Sequence, residues 1–275
     1  MRIAITGARG QLGTSLQDVL ASEDAIPLNR PEYEITKSDV VSAIASLAPE
    51  TVIHAAAMTN VDDCELNPDA AYLVNALGTR NVALACQACG AAMVYISTDY
   101  VFDGQKGEPY LEFDEPNPIS VYGRSKLAGE RYVQTLLHKF YIVRTAWLYS
   151  GTGDNFVKKV LRLADEREEL FMVTNEIGSP TYAPDLAAAI AQLIRHPLYG
   201  IYHLTNQGCC SRYEFAKKIL EFAGKGDFPI HPIDQHPRPA KPPAYAPLRN
   251  FCAAQLGITL RPWEEALRAY FVAEE

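Results

Sequence analysis

The opening thirteen residues, MRIAITGARGQLG, constrain the fold more than any other stretch of the chain. Ile3 to Thr6 is an apolar run with strand composition, and Leu12 to Ala21 carries helical periodicity. Between them, Gly7, Gly10 and Gly13 form G-x-x-G-x-x-G, with Gln11 and Leu12 just before the last glycine. Glycine lets a backbone turn tightly and approach a ligand where a Cβ would block it. The helix that follows points unpaired N–H groups and a partial positive charge at the turn, a natural seat for a pyrophosphate. The spacing is one residue longer than the common G-x-G-x-x-G, but the strand-turn-helix context is that of a dinucleotide-binding unit. Gly7, Gly10, Gln11, Leu12 and Gly13 are therefore the expected phosphate contacts.

The rest of the chain keeps the same rhythm. Strands are predicted at Ala25–Leu28, Thr51–His54, Ala91–Ser97 and Phe140–Thr145. Helices are predicted at Lys37–Leu47, Pro68–Cys89 and Arg124–Leu137, with Gly90 as a stop after the second of these. Alternation of this kind predicts an α/β fold, a Rossmann-type doubly wound parallel sheet with helices on both faces. After about residue 150 the rhythm loosens. Helices are expected at Asn155–Ala164, Pro184–Ile194 and Arg212–Ala223, and a strand at Ile201–Leu204. Seven prolines between Phe228 and Pro247 exclude a helix or central strand there and suit a rigid loop beside a pocket. The expected division is a dinucleotide-binding domain over residues 1–150, with about 165–205 returning to the sheet. A smaller substrate lobe would take about 151–164 and 206–275.

The net charge of −8 tells against a general affinity for nucleic acid or acidic membranes. No run approaches the ~20 apolar residues of a membrane span, and the N-terminal apolar stretch is too short for a secretion signal. A cytoplasmic location follows, and with it six free thiols. Cys86 and Cys89 form C-x-x-C without the second pair that a structural zinc needs, and His231 and His236 lack a third ligand. No metal site is expected.

Two further segments point to chemistry. Tyr122-Gly-Arg-Ser-Lys126 sits at the start of the helix before the fifth strand, and positions four apart share a helical face. Thr98 lies at the end of the fourth strand, the edge where such sheets bind ligands. A phenol, an ammonium and a hydroxyl converging there suit protonation of a carbonyl oxygen as its carbon accepts a hydride. The Lys126 charge and a cofactor ribose are expected to lower the Tyr122 pKa by ~2–3 units. After the second strand the chain reads Asn29-Arg30, where an NAD site usually carries Asp or Glu. Arg30 facing a 2′-phosphate favours NADPH over NADH; the other reading is a solvated loop arginine.

ITGARGQLG (5–13), HAAAMTNVDDCE (54–65), VNALGTRNVA (74–83), ISTDYVFDG (96–104), VYGRSKLAGE (121–130), RTAWLY (144–149) and GSPTYAPDLA (178–187) together resemble the extended short-chain dehydrogenase/reductase superfamily. Within it, nearly the whole chain is similar to the dTDP-4-dehydrorhamnose reductase family. The resemblance implies Thr98, Tyr122 and Lys126 as the catalytic trio, and Asp99, Tyr100 and Trp147 in the sugar pocket. It implies that Ala55, Ala56, Ala57 and Asn75 lie along the cofactor cleft or support it. Asp99-Tyr100 stands where sugar 4,6-dehydratases carry Asp-Glu, which favours plain ketone reduction. Some family members join a dimer through magnesium held by acidic residues of the first helix. Thr14, Ser15 and Gln17 give no match ahead of Asp18, so magnesium is not expected and a homodimer and a monomer both stay open. Pro242–Asn250 also departs from the family's C-terminal pattern, which bears on the exact substrate.

The implied activity is NADPH-dependent reduction of the C4 keto group of a nucleotide-linked 6-deoxy sugar. The alternatives are another nucleotide-sugar reductase or epimerase, or an NADP-binding regulatory subunit without turnover. Arg212, Arg238 and Lys241 are read as surface charge, with contact to a substrate diphosphate as the alternative.

Overall fold

The computed structural model describes residues 1–274. Six strands form the central sheet: β1 (Arg2–Thr6), β2 (Asp24–Leu28), β3 (Thr51–His54), β4 (Ala92–Thr98), β5 (Phe140–Thr145) and β6 (Gly200–His203). All pairings are parallel and the order is β6-β5-β4-β3-β1-β2. Successive side chains of a strand face opposite sides, and the core divides accordingly. Ile3 and Ile5 pack with Leu12, Leu16, Ile190 and Leu193 on one face, whereas Ala4 and Val52 pack with Val82, Val133 and Ile44 on the other. The first face is covered by the helices Gln11–Val19 and Ala183–Leu193, the second by Val40–Ser46, Thr79–Cys89 and Val121–Leu136.

The elements expected from the sequence are present apart from their ends, with two instructive differences, and the helices Val61–Leu66 and Trp263–Glu274 and the strands Leu170–Val173 and Ile230–Ile233 are not among those expected. The expected single helix over Pro68–Cys89 contains a π-helical turn, Leu73–Gly78, between the α-helices Pro68–Tyr72 and Thr79–Cys89. In that turn the Asn75 carbonyl accepts from Thr79 Oγ1 at 2.7 Å and from the Tyr95 hydroxyl at 3.4 Å. The second difference is the helix start at Val121 rather than Arg124. Ser120 caps it by accepting from the Gly123 N–H at 3.2 Å, so Tyr122 is helical from the first turn.

The smaller lobe is built around Tyr149, Val157, Phe215, Trp263 and Tyr270. Its helices are Phe156–Glu166, Arg212–Phe222 and Trp263–Glu274. Within residues 165–205, Ala183–Leu193 and β6 join the sheet layer, while Leu170–Val173 pairs instead with Ile230–Ile233 in a two-stranded sheet of the lobe. That short strand, with Pro232 inside it, is the regular strand within the proline-rich segment; an edge position tolerates proline's missing N–H. Among the described residues no helix is long and apolar enough to cross a membrane.

Gly129 sets how closely the Val121–Leu136 helix sits on the sheet. A Cβ there would meet the Tyr95 hydroxyl and lie 2.6 Å from the Asn75 carbonyl oxygen. Gly129→Ala is therefore expected to lower unfolding stability by about 1–3 kcal/mol through overpacking, measured by denaturant titration; an unchanged midpoint would show that the helix is not seated this tightly.

Candidate active site

Two adjoining cavities open at the C-terminal edge of the sheet and share Gly7, Arg9, Gly10, Ala55 and Ala57 in their walls. The outer, of about 600 Å³, runs past Asn29, Arg30 and Ala56 at the end of β2. The inner, of about 510 Å³, runs past Gln11, Leu12 and Gly13 to Thr98, Tyr122 and Lys126.

The glycine turn is shaped for a phosphate group. Gly7 has φ +68°, and a Cβ on it would come within 2.7 Å of the Ala56 nitrogen. A Cβ on Gly13 would run into the Gly7 carbonyl. The Gln11–Val19 helix starts at Gly10 without a side-chain cap, which leaves first-turn N–H groups free for an anion. The side chain of Gln11 faces the smaller lobe: its Oε1 accepts from Ser150 Oγ and Asn155 Nδ2, each at 3.2 Å. These features fit a dinucleotide: a pyrophosphate against the turn, with the alanines of 55–57 on the opposite wall. Arg30 lies in the outer cavity with its side chain 80% exposed and only a loose 3.9 Å approach to Glu34. Arg9 lines both cavities, a neighbour that reading strand ends alone did not find; its signal is a basic residue inside the glycine turn. Asn75 stands behind the cleft wall and not in it. Its side chain exchanges hydrogen bonds with the Met58 backbone at 2.8 and 3.0 Å and donates to Ser125 Oγ at 3.1 Å, bracing the strand-to-helix connection.

Thr98, Asp99, Tyr100, Tyr122, Lys126 and Trp147 all line the inner cavity. Thr98 ends β4, donates to Asp99 Oδ1 at 2.9 Å and accepts from the Tyr100 N–H at 3.2 Å. The Tyr122 ring meets Tyr100 edge-on with centroids 5.4 Å apart. Lys126 Nζ donates to the Ile96 carbonyl at 2.6 Å and lies 4.2 Å from the centre of the Tyr95 ring.

The electrostatics differ from the sequence expectation of a lowered phenol. Burial pushes the Tyr122 phenol above its ordinary value, a hydrogen bond from Thr98 opposes this, and Asp99 and Tyr100 add to the rise. Lys126 is itself pushed down to about 7 by burial, with Glu130 opposing. Near neutrality its charge is therefore only partly available to the phenol. Asp99 is pushed up to about 7 by burial, against the Thr98 hydrogen bond and the Arg212 charge. His54, between Thr6 Oγ1 at 2.7 Å and Thr79 Oγ1 at 3.1 Å, is held neutral by burial, its pKa lowered to about 3.

Arg212 is not surface charge. It lines the inner cavity with its guanidinium carbon 3.5 Å from the centre of the Trp147 ring and 4.8 Å from that of Phe156. Trp147 thus packs against the lobe core and the cavity at once, with φ +45°, a value rare for a bulky residue. Arg238 bonds Asp62 at 3.0 Å, and its charge reaches Tyr100. Lys241 is exposed. His231 pairs with Glu169 at 3.1 Å on the surface.

With this geometry in place, comparison with known proteins is decisive. The family model described as the RmlD substrate binding domain matches residues 1–274. The chain belongs to that family. Among solved structures, a dTDP-4-dehydrorhamnose reductase of Clostridium acetobutylicum, described as an RfbD ortholog, is 43% identical, with 100% of this chain and 99% of that one covered and a TM-score of 0.96. The dTDP-4-dehydrorhamnose reductase of Bacillus anthracis, solved in complex with NADP, is 45% identical, with 99% of each chain covered and a TM-score of 0.94. The dTDP-4-dehydrorhamnose reductase of Mycolicibacterium smegmatis is 40% identical, covering 97% of this chain and 84% of its own. The Rossmann-type sheet and near-full-length match to this RmlD family agree with the fold and family read from the sequence.

Removing both cavity arginines tests the outer cavity. Arg9→Ala/Arg30→Ala is expected to raise the NADPH dissociation constant about tenfold or more, the worth of a lost charge-assisted hydrogen bond, and to leave NADH binding nearly unchanged. Equal weakening of both cofactors would show that these side chains do not read the 2′-phosphate.

Proposed function

We propose that this chain catalyses the NADPH-dependent reduction of the C4 keto group of dTDP-4-dehydro-L-rhamnose to give dTDP-L-rhamnose. The observation that carries this reading is the convergence of Thr98, Tyr122 and Lys126 on one cavity beyond a glycine turn shaped for a dinucleotide. It is supported by the names of relatives matched over nearly the full chain.

Gly7, Gly10, Gln11, Leu12 and Gly13 would hold the pyrophosphate, Arg9 and Arg30 a 2′-phosphate, and Ala55–Ala57 the opposite wall. When bound, the reduced nicotinamide supplies a hydride to the carbonyl carbon. The protein's part is the proton. Thr98 offers its hydroxyl to the carbonyl oxygen and fixes it beside Tyr122. Because burial keeps the phenol protonated, Tyr122 has a proton to give as negative charge grows on that oxygen. The phenolate left behind is favoured by the charge that Lys126 carries one turn along the same helix. Asp99, Tyr100 and Trp147 line the sugar side of the cavity. Arg212, fixed on the Trp147 face, places a cation there for the substrate diphosphate. The lobe that carries Arg212 would serve as the substrate domain, in a cytoplasmic enzyme whose six cysteines are free thiols.

Two measurements test this. NADPH absorbance should fall in a one-to-one ratio with dTDP-4-dehydro-L-rhamnose consumed; conversion without net NADPH loss, or tight NADP binding without turnover, would overturn the reading. Tyr122→Phe should lower kcat about a hundred- to ten-thousand-fold, the usual worth of general acid catalysis, with the NADPH dissociation constant unchanged. A rate within tenfold of wild type would remove Tyr122 from the proton step.

A further inference from the structure

Behind the cavity lies a buried ion pair that the proton step does not use directly. Glu130 follows Lys126 by one turn on the Val121–Leu136 helix, and both are buried. Arg144, on β5, donates to Glu130 through Nε at 3.0 Å and Nη2 at 2.7 Å. Ser97 Oγ donates to the same carboxylate at 2.5 Å. Ser97 sits between Ile96, whose carbonyl accepts from Lys126 Nζ, and Thr98 of the cavity. Ser97 and Arg144 are also paired in register across β4 and β5. One carboxylate therefore joins the helix of Tyr122 and Lys126, the strand of Thr98 and the strand that leads to Trp147.

We propose that the Glu130–Arg144 pair is a positioning element that tunes the charge on Lys126: the Glu130 carboxylate, one turn along the helix, favours the ammonium through space, and Arg144 offsets part of that field. The inference rests on the role proposed above for Lys126.

The surroundings of Lys126 leave few rivals. Tyr122 shares its helix, Tyr95 faces it from β4, His54 from β3 and Cys64 from the Val61–Leu66 helix. Burial holds all four neutral near pH 7: both phenols and the Cys64 thiol are raised, the thiol to about 11, and His54 is lowered to about 3. Glu130 is the first of the groups that favour the Lys126 ammonium against burial. Arg144 carries the opposing charge just beyond it, with Nη1 buried and without a hydrogen-bond partner. A structural brace and a charge regulator then predict different things. Removing Glu130's charge leaves two buried cations, so Lys126 should give up its proton at lower pH. Removing Arg144's charge leaves the buried carboxylate one turn from Lys126 without its opposing cation, so the proton should be held to higher pH.

The test is a titration of Lys126 by ¹³Cε NMR in lysine-labelled protein without substrate, the resonance assigned by its loss in Lys126→Met. Glu130→Gln is expected to lower the midpoint by about one pH unit or more, and Arg144→Met to raise it. The double variant Glu130→Gln/Arg144→Met, which removes both charges of the pair, should have its midpoint between those of Glu130→Gln and wild type. If Arg144→Met does not fold, the comparison of Glu130→Gln with the double variant decides. In active enzyme the alkaline limb of kcat, where the ammonium is lost, should move in the same directions. Failure of Glu130→Gln to lower the midpoint, or of the double variant to lie above Glu130→Gln, overturns the proposal. Because the midpoint is read without substrate, that failure is distinct from failure of the reductase assignment.

Discussion

A lysine amine shut away from water beneath the cavity is the constraint around which the rest of the structure is arranged. Burial alone drives it toward the neutral form. Against that stand a carbonyl acceptor from Ile96, the face of the Tyr95 ring and a carboxylate one helical turn away, all of which favour the ammonium. Each of these depends on how the Val121–Leu136 helix lies on β4. That seating in turn needs Gly129 where the helix meets Tyr95 and the Asn75 carbonyl, and Ser120 to start the helix before Tyr122. The π turn at Leu73–Gly78 belongs to the same contact, since its Asn75 carbonyl is what the helix approaches.

The two halves of the cleft do different work. The glycine turn and the alanines of 55–57 are backbone and small side chains, suited to close approach and to a diphosphate. The floor beyond them is crowded with titratable groups in low dielectric, where burial holds the phenol of Tyr122 protonated and brings Asp99 and Lys126 close to neutrality. A site poised in this way can release a proton when charge arrives on a bound oxygen, which is what reduction of a ketone requires. Gln11 spans the halves, with its backbone in the turn and its side chain bonded to Ser150 and Asn155 of the other lobe.

Much of this was legible in the sequence because it is written in local pattern. Strand and helix alternation gave the sheet, and positional context raised Thr98, Tyr122 and Lys126 above chance pairs. What stayed hidden depends on tertiary packing. Arg212 looks like any surface arginine until Trp147 and Phe156 are brought around it from separate segments. Arg9 faces the cleft only because the turn folds back on β2, where its N–H meets the Asn29 side chain at 3.0 Å. Spacing places a charge near a phenol but says nothing of how much water the fold removes, and it is burial that raises the Tyr122 phenol. The pairing of Leu170–Val173 with Ile230–Ile233 joins segments sixty residues apart, which no periodicity encodes.

The most direct measurement is a crystal structure with NADPH and the keto-sugar, or its reduced product, bound. The account predicts Tyr122 Oη and Thr98 Oγ1 both within hydrogen-bond distance of the sugar C4 oxygen, with the nicotinamide ring against the same carbon. A phenol turned into packing, or a sugar bound with its C4 away from the nicotinamide, would contradict it.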